Sequence, residues 1–209
     1  MQVPKLSVIS FLAIASFAVP QSIIAQPPST SKTVTTKVGE SHFEAALPSG
    51  VPLRLYLRSG DIRIVGTDDA KISVDVSRKN SDDLQDIKHR LNLMPSSAEF
   101  HLTGGPMNDV RISVRIPKNS GIYVRVPAGD VTVEGISGDK DIELHAGDLS
   151  IHVGNPQDYS HVDASVSAGD VDAAPFGESR SGLFRSFSKS GSGKYKLHAH
   201  VGAGDVTLL

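Results

Sequence analysis

From about Phe43 to the C-terminus, apolar and polar residues alternate with a period of two, the pattern of half-buried β-strands. One recurring dipeptide interrupts the alternation. Gly-Asp occurs as Gly60-Asp61, Gly129-Asp130, Gly147-Asp148, Gly169-Asp170 and Gly204-Asp205, with a further copy at Gly138-Asp139. Glycine permits the positive φ of a tight bend and aspartate hydrogen-bonds nearby backbone, so the pair is turn chemistry. Its flanks keep a fixed phase. Three, five and seven residues before the five main glycines, fourteen of fifteen positions are apolar, Lys140 being the exception. Two and four residues after them, all ten are apolar, from Ile62 and Ile64 to Val206 and Leu208.

Each unit therefore reads as strand, Gly-Asp bend, strand. The bends at 129, 147 and 169 lie 18 and 22 residues apart, and 35 more residues lead to 204. Such units predict an all-β fold: a β-solenoid, or parallel β-helix-like stack, in which each rung buries its apolar face on its neighbours. A meandering β-sandwich is the alternative, because alternation alone does not separate stacked parallel rungs from hairpins. Two segments depart from the pattern. Residues 80–93 (NSDDLQDIKHRLNL) offer a capping Asn or Ser, Asp82 and Asp83 in a first turn, and Leu84, Ile87 and Leu91 on one face. They predict a short amphipathic helix, ended by Pro95 and covering one end of the core. Phe176 to Lys196 forms the second departure, an excursion that accounts for the 35-residue gap.

The N-terminus changes the picture from fold to address. Lys5, an uncharged apolar run from Leu6 to Val19, and Ala25 with Ile23 two residues before it read as a signal peptide over residues 1–25. The run is shorter than the ~20 residues of a spanning helix. Residues 26–40 read as a mobile polar leader and residues 41–209 as a single β-repeat domain, exported to the periplasm or beyond the cell. Loss of residues 1–25 would remove Lys5 and no acid, leaving a chain slightly more acidic than its formal −2. That balance argues against nucleic acid, which needs a clustered basic excess. The absence of cysteine excludes disulfides, thiolate metal sites and a thiol nucleophile. There is no Trp and aromatics are sparse, which argues against a sugar-stacking lectin.

Four stretches, VPLRLYLRSGDIRIVG, GIYVRVPAGDVTVEGISGDKDIELHAGDLSIHV, HVDASVSAGDVDA and HAHVGAGDVTLL, resemble the bacterial "putative adhesin" family of unknown function, also called toast-rack-like. The resemblance spans roughly residues 43–209. It implies a Gly-Asp-Val repeat β-solenoid behind an export signal, and it carries over no catalytic residue.

Several constellations could carry chemistry. Calcium solenoids need tandem nine-residue Gly-rich units; only GAGD at 202–205 approaches one, so the Gly-Asp aspartates read as stacked structural corners. If the corners stack, outward residues form columns: Tyr56, Arg125, Glu143, Ser165 and His200; then Arg54, Tyr123, Asp141, Asp163 and His198. Asp141, Glu143, Asp163, His198 and His200 would then share one face and are candidate metal ligands, since His-Ala-His on a strand points both imidazoles one way. In the excursion, Arg180, Phe184, Arg185, Phe187, Lys189, Lys194, Tyr195 and Lys196 mix basic and aromatic groups suited to anionic polysaccharide or lipid head groups. GSGK at 191–194 lacks the first glycine of a phosphate loop, and GISG at 135–138 is one residue short of a nucleophile elbow. The expected function is a non-enzymatic, adhesin-like binding or structural protein of the cell envelope, without cofactor. Its partners would be such anions or an envelope protein, or further copies joined through terminal strands near Val206 to Leu209. The alternative is a carbohydrate-active enzyme, lyase- or hydrolase-like, working through outward Asp and His residues.

Overall fold

A computed structural model describes residues 31–78, 84–106 and 108–209, with backbone only for residues 180–184. The strands in chain order are β1 (Lys32–Thr35), β2 (His42–Ala46), β3 (Leu53–Tyr56), β4 (Asp61–Thr67), β5 (Lys71–Arg78), β6 (Lys88–Leu93), β7 (Ala98–Thr103) and β8 (Val110–Pro117). There follow β9 (Ile122–Ala128), β10 (Val131–Glu134), β11 (Lys140–Ala146), β12 (Leu149–Ile151), β13 (Tyr159–Ala173), β14 (Glu178–Ser190), β15 (Tyr195–Ala203) and β16 (Val206–Leu208). The chain is all-β, as its alternation predicts. The strands form one sheet in the order β1-β6-β7-β3-β9-β11-β15-β13-β16-β12-β10-β4-β8-β5-β2, with β14 added on β13. This sheet curls into a nearly closed, barrel-like wall around its core. Where its two ends meet inside, the Phe43 ring of β2 lies 5.7 Å from His89 of β6 and 5.3 Å from Phe100 of β7.

The Gly-Asp pairs stand where the chain passes from one half of the wall to the other. Before the bends, Leu53, Ile122, Lys140, Leu197 and Val162 stack in register across parallel β3, β9, β11, β15 and β13. After them, Ile62, Val131, Leu149, Val206 and Val171 do the same across β4, β10, β12, β16 and the end of β13. The bends are packed backbone on backbone. Gly129 and Gly147 both have φ +122°, and a Cβ on either would collide with the carbonyl oxygen of the glycine in the next bend. The aspartates form a ladder: Asp130 Oδ1 accepts the N–H of Asp148 at 3.4 Å, Asp148 that of Asp205 at 3.0 Å, and Asp205 that of Asp170 at 2.8 Å. Asp61 instead accepts from Arg111 Nε at 3.3 Å.

The winding departs from successive solenoid turns. The unit of Gly204 lies between those of Gly147 and Gly169, because β15 pairs with both β11 and β13. Toward the ends the sheet turns antiparallel, in β2–β5–β8 and in β1–β6–β7. The excursion 176–196 is largely strand: β14 pairs antiparallel with β13 from Glu178 to Ser190. The expected covering helix is also corrected. Residues 79–83 lie outside the described set, and Lys88–Leu93 is β6, in which His89 and Leu91 point inward. Leu84, Ile87 and Leu91 are buried under either reading, and the free edge of β7 favours the extended one. β1 falls within the expected leader; it pairs with β6, and Val34 packs on the core. Residues 1–25, expected to be a signal peptide, lie outside the described residues. The terminal strand β16 has partners on both sides, β12 and β13, so Val206 and Thr207 offer no open edge.

Candidate binding face

Strand alternation sends Leu53 and Leu55 into the core and Arg54 and Tyr56 outward, and each parallel neighbour repeats this in register. Two outward rows result. The first runs His101, Tyr56, Arg125, Glu143, His200, Ser165; the second runs Glu99, Arg54, Tyr123, Asp141, His198, Asp163. Neighbours along a row stand one strand spacing, ~4.8 Å, apart. The insertion before Leu197 leaves this register intact; the irregularity between β13 and β15 falls at Tyr159 and His161.

The first half of the face is aromatic and cationic. Tyr56 stacks on His101 with centroids 4.6 Å apart and planes 13° from parallel, and it meets Tyr123 edge-on at 6.2 Å. Arg54 and Arg125 flank the Tyr123 ring at 5.5 and 5.3 Å. Arg125 Nη2 donates to Glu143 Oε1 at 3.0 Å and lies 2.9 Å from Oε2. Solvent screens this exposed ion pair, so it serves chiefly to hold the two side chains still.

The five candidate metal ligands are brought side by side, but their contacts run sideways along the rows. Glu143 is held by Arg125, His200 Nδ1 pairs with Ser165 Oγ at 3.0 Å, and His198 Nδ1 lies 3.4 Å from Asp163 Oδ1. Among the described residues no group of three or more His, Asp or Glu side chains is arranged to hold a metal ion. Asp141 Oδ1 is buried and lacks a hydrogen-bond partner among the described residues. Burial pushes its carboxyl up from the usual range, with His198 opposing, Glu143 adding and Arg125 opposing.

A groove of about 420 Å³ opens on this face where the strands approach their bends. Tyr56, Arg125, Pro127, Glu143, His145 and His200 stand around it, above the strand backbone at Leu57, Val126 and Leu144, whose side chains turn into the core. Gly202 lines it where the backbone passes so close to the adjacent strand that a Cβ would run into the carbonyl oxygen of His145.

The described basic-aromatic residues of the excursion have separate contacts. The side chains of Arg180 and Phe184 lie outside the described set. Phe187 is buried against Phe176 with centroids 5.8 Å apart. Lys189 Nζ donates to the Phe176 carbonyl at 3.2 Å, and Lys194 lies 5.3 Å from the Tyr195 ring centroid. Tyr195 is half-buried, the backbone N–H of Lys196 donates to Asp139 Oδ1 at 2.8 Å, and Arg185 is exposed.

Lys140, the lone polar residue in its core column, is 2% exposed. Its Nζ donates to Tyr159 Oη at 2.8 Å and to the Gly138 carbonyl at 3.2 Å, while Tyr159 donates to the Val153 carbonyl at 2.9 Å. Burial lowers the Lys140 ammonium to about 8, against the opposing pull of Asp139 and Asp158. The alternation pointed to Tyr56, Arg54, Tyr123 and Arg125 as outward columns, but His101, Glu99, His145 and Gly202 escaped it. The first two sit on β7, whose register on β3 no repeat announces. The groove at Gly202 comes from a close backbone approach that no pattern marks.

No helix among the described residues is long and apolar enough to cross a membrane. No family model matches the chain. No curated protein matches it. Among solved structures it is similar to the crystal structure of a "putative cell adhesion protein" from Clostridium sporogenes, with 10% sequence identity and a TM-score of 0.50. The match covers 80% of this chain and 97% of that one. At that identity the likeness is one of fold.

Proposed function

We propose that this protein is a non-enzymatic, exported, adhesin-like binding protein whose working surface is the outward face of β7, β3, β9, β11, β15 and β13. The observation that carries the reading is the in-register alignment of Tyr56, Tyr123, His101, Arg54 and Arg125 on one face. Few aromatics exist in this chain, and two of its four tyrosines stand there together. Rigid aromatic and guanidinium groups on a sheet are the residue types that dominate recognition surfaces. The fold likeness to a protein described as a cell adhesion protein supports the same reading. Export rests on the sequence of residues 1–25 and places the face outside the cytoplasm.

The test is a screen of the purified protein against neutral glycans, anionic glycans and lipid vesicles, with product release followed in parallel and fractionation of the producing cells. Saturable binding without product, from protein recovered outside the cytoplasm, supports the proposal. Release of cleaved sugar would replace it with the carbohydrate-active enzyme reading, and cytoplasmic retention would remove export.

A further inference from the structure

The groove on the binding face has a chemistry of its own. Its apolar part is exposed Pro127 together with the Tyr56 ring, which is braced by the stacked His101. Its fixed charges, Arg125 and Glu143, are paired with each other, so the groove offers no net charge to complement an ionic ligand. What it offers instead are hydrogen-bonding edges. Glu143 engages Arg125 through Nη2, and a guanidinium carries further N–H donors on its other nitrogens. Ser165 holds His200 through Nδ1, which leaves Nε2 for a ligand. His145 is exposed at the rim. Carboxylate oxygens accept, guanidinium N–H groups donate, and imidazoles do either. An aromatic side and an exposed proline beside interleaved donors and acceptors suit a ring with a C–H face and several hydroxyls, each able to donate and accept. A volume of about 420 Å³ lies in the range of small-ligand sites.

We propose that this groove is a subsite for a neutral pyranose ring, a hexose unit of an uncharged glycan, set among Tyr56, Arg125, Glu143, His145 and His200. The proposal rests on the binding-protein reading above and narrows it: recognition is of uncharged sugar, and the cations of residues 180–196 take no part.

The experiment titrates the purified protein with neutral oligosaccharides bearing terminal glucose, galactose or mannose, and with acidic oligosaccharides, by calorimetry and by NMR of the histidine rings. The expected result is saturable binding of a neutral oligosaccharide that moves the His145 and His200 ring signals. Tyr56→Ala and His145→Ala should each weaken it about tenfold or more, as truncation of an anchor side chain does. Tyr56→Phe should retain most of the binding, Arg185→Ala with Lys194→Ala should leave it unchanged, and thermal melting should report that every variant is folded. Neutral-sugar binding that survives both Tyr56→Ala and His145→Ala would overturn the groove proposal and leave a binding protein acting elsewhere. Binding of acidic oligosaccharides alone, abolished by the Arg185/Lys194 change, would overturn it in the same way. No binding to any probe would count against the groove and the binding-protein reading together.

Discussion

Gly147 and Gly177 both hold positive φ, +122° and +81°, yet their surroundings make them different residues. Around Gly177 a Cβ would meet nothing within 4 Å, whereas at Gly147 it would strike the carbonyl of Gly129. We expect Gly177→Ala to cost only left-handed backbone strain, ~1 kcal/mol, and Gly147→Ala to cost ~3 kcal/mol or more. Urea unfolding of the two variants measures the difference, and equal losses would mean that the bends are not packed backbone on backbone. Two buried titratable groups act at the same scale. His89 is fully buried between Phe43 and Phe100, and burial, helped by His42, lowers its imidazole from 6.5 to about 4. Between those values the unfolded chain binds a proton that the folded chain refuses, so stability falls as the pH drops from 6.5 to 4, by on the order of 3 kcal/mol. Lys140, lowered from 10.5 to about 8, has the same sign at higher pH: the unfolded state holds the extra proton, so stability rises from about pH 8 toward 10.5. Tyr159, raised to about 12, works the other way above its ordinary value of 10, which makes pH 8 to 10 the clean window. His89→Leu should flatten the acid limb and Lys140→Met the alkaline one. Profiles parallel to the parent protein's would place the titrations elsewhere.

At the scale of elements, the repeat unit was legible and its order was not. The five strand–bend–strand units can be read from phase alone, and the outward columns follow from them. Phase is silent on sequence order, because parallel strands with the same alternation are interchangeable partners. Here β13 takes a place one strand beyond β11, the β13–β14 hairpin turns back, and β15 with β16 fills the gap. The chain has no cysteine, so engineered pairs can test this order directly. Ser150 and Thr207 are parallel neighbours, whereas Ser150 and Asp172 are separated by β16. Ser150→Cys with Thr207→Cys should oxidise readily, at a Cα separation of ~5 Å that suits a disulfide. Ser150→Cys with Asp172→Cys should not, at roughly 10 Å. The reverse outcome would restore a simple solenoid order. The misread helix has a related cause: Leu84, Ile87 and Leu91 satisfy a helical face, while His89 and Leu91 equally satisfy an inward strand face. Local spacing could not choose between them.

For the whole molecule, the last two strands are central although they come last. Removing residues 195–209 would take away β15 and β16, which bridge β11 to β13 and β12 to β13. We expect the truncated chain to lose cooperative unfolding in a denaturant titration, since most pairings in that part of the wall vanish together; a sharp transition near that of the full chain would show that the wall does not depend on them. The sequence by itself determined the strands of the five Gly-Asp units, their bends and the side of each of those strands that faces the core, because period-two burial and the space beside each bend glycine are local demands written at every repeat. Tertiary structure alone decided which strand lies beside which, how the antiparallel ends fold over Phe43, and that His101, His145 and Gly202 come to the Tyr56 face. Those outcomes depend on long-range pairing, where chain connections and free edges select among arrangements that bury the same residues equally well.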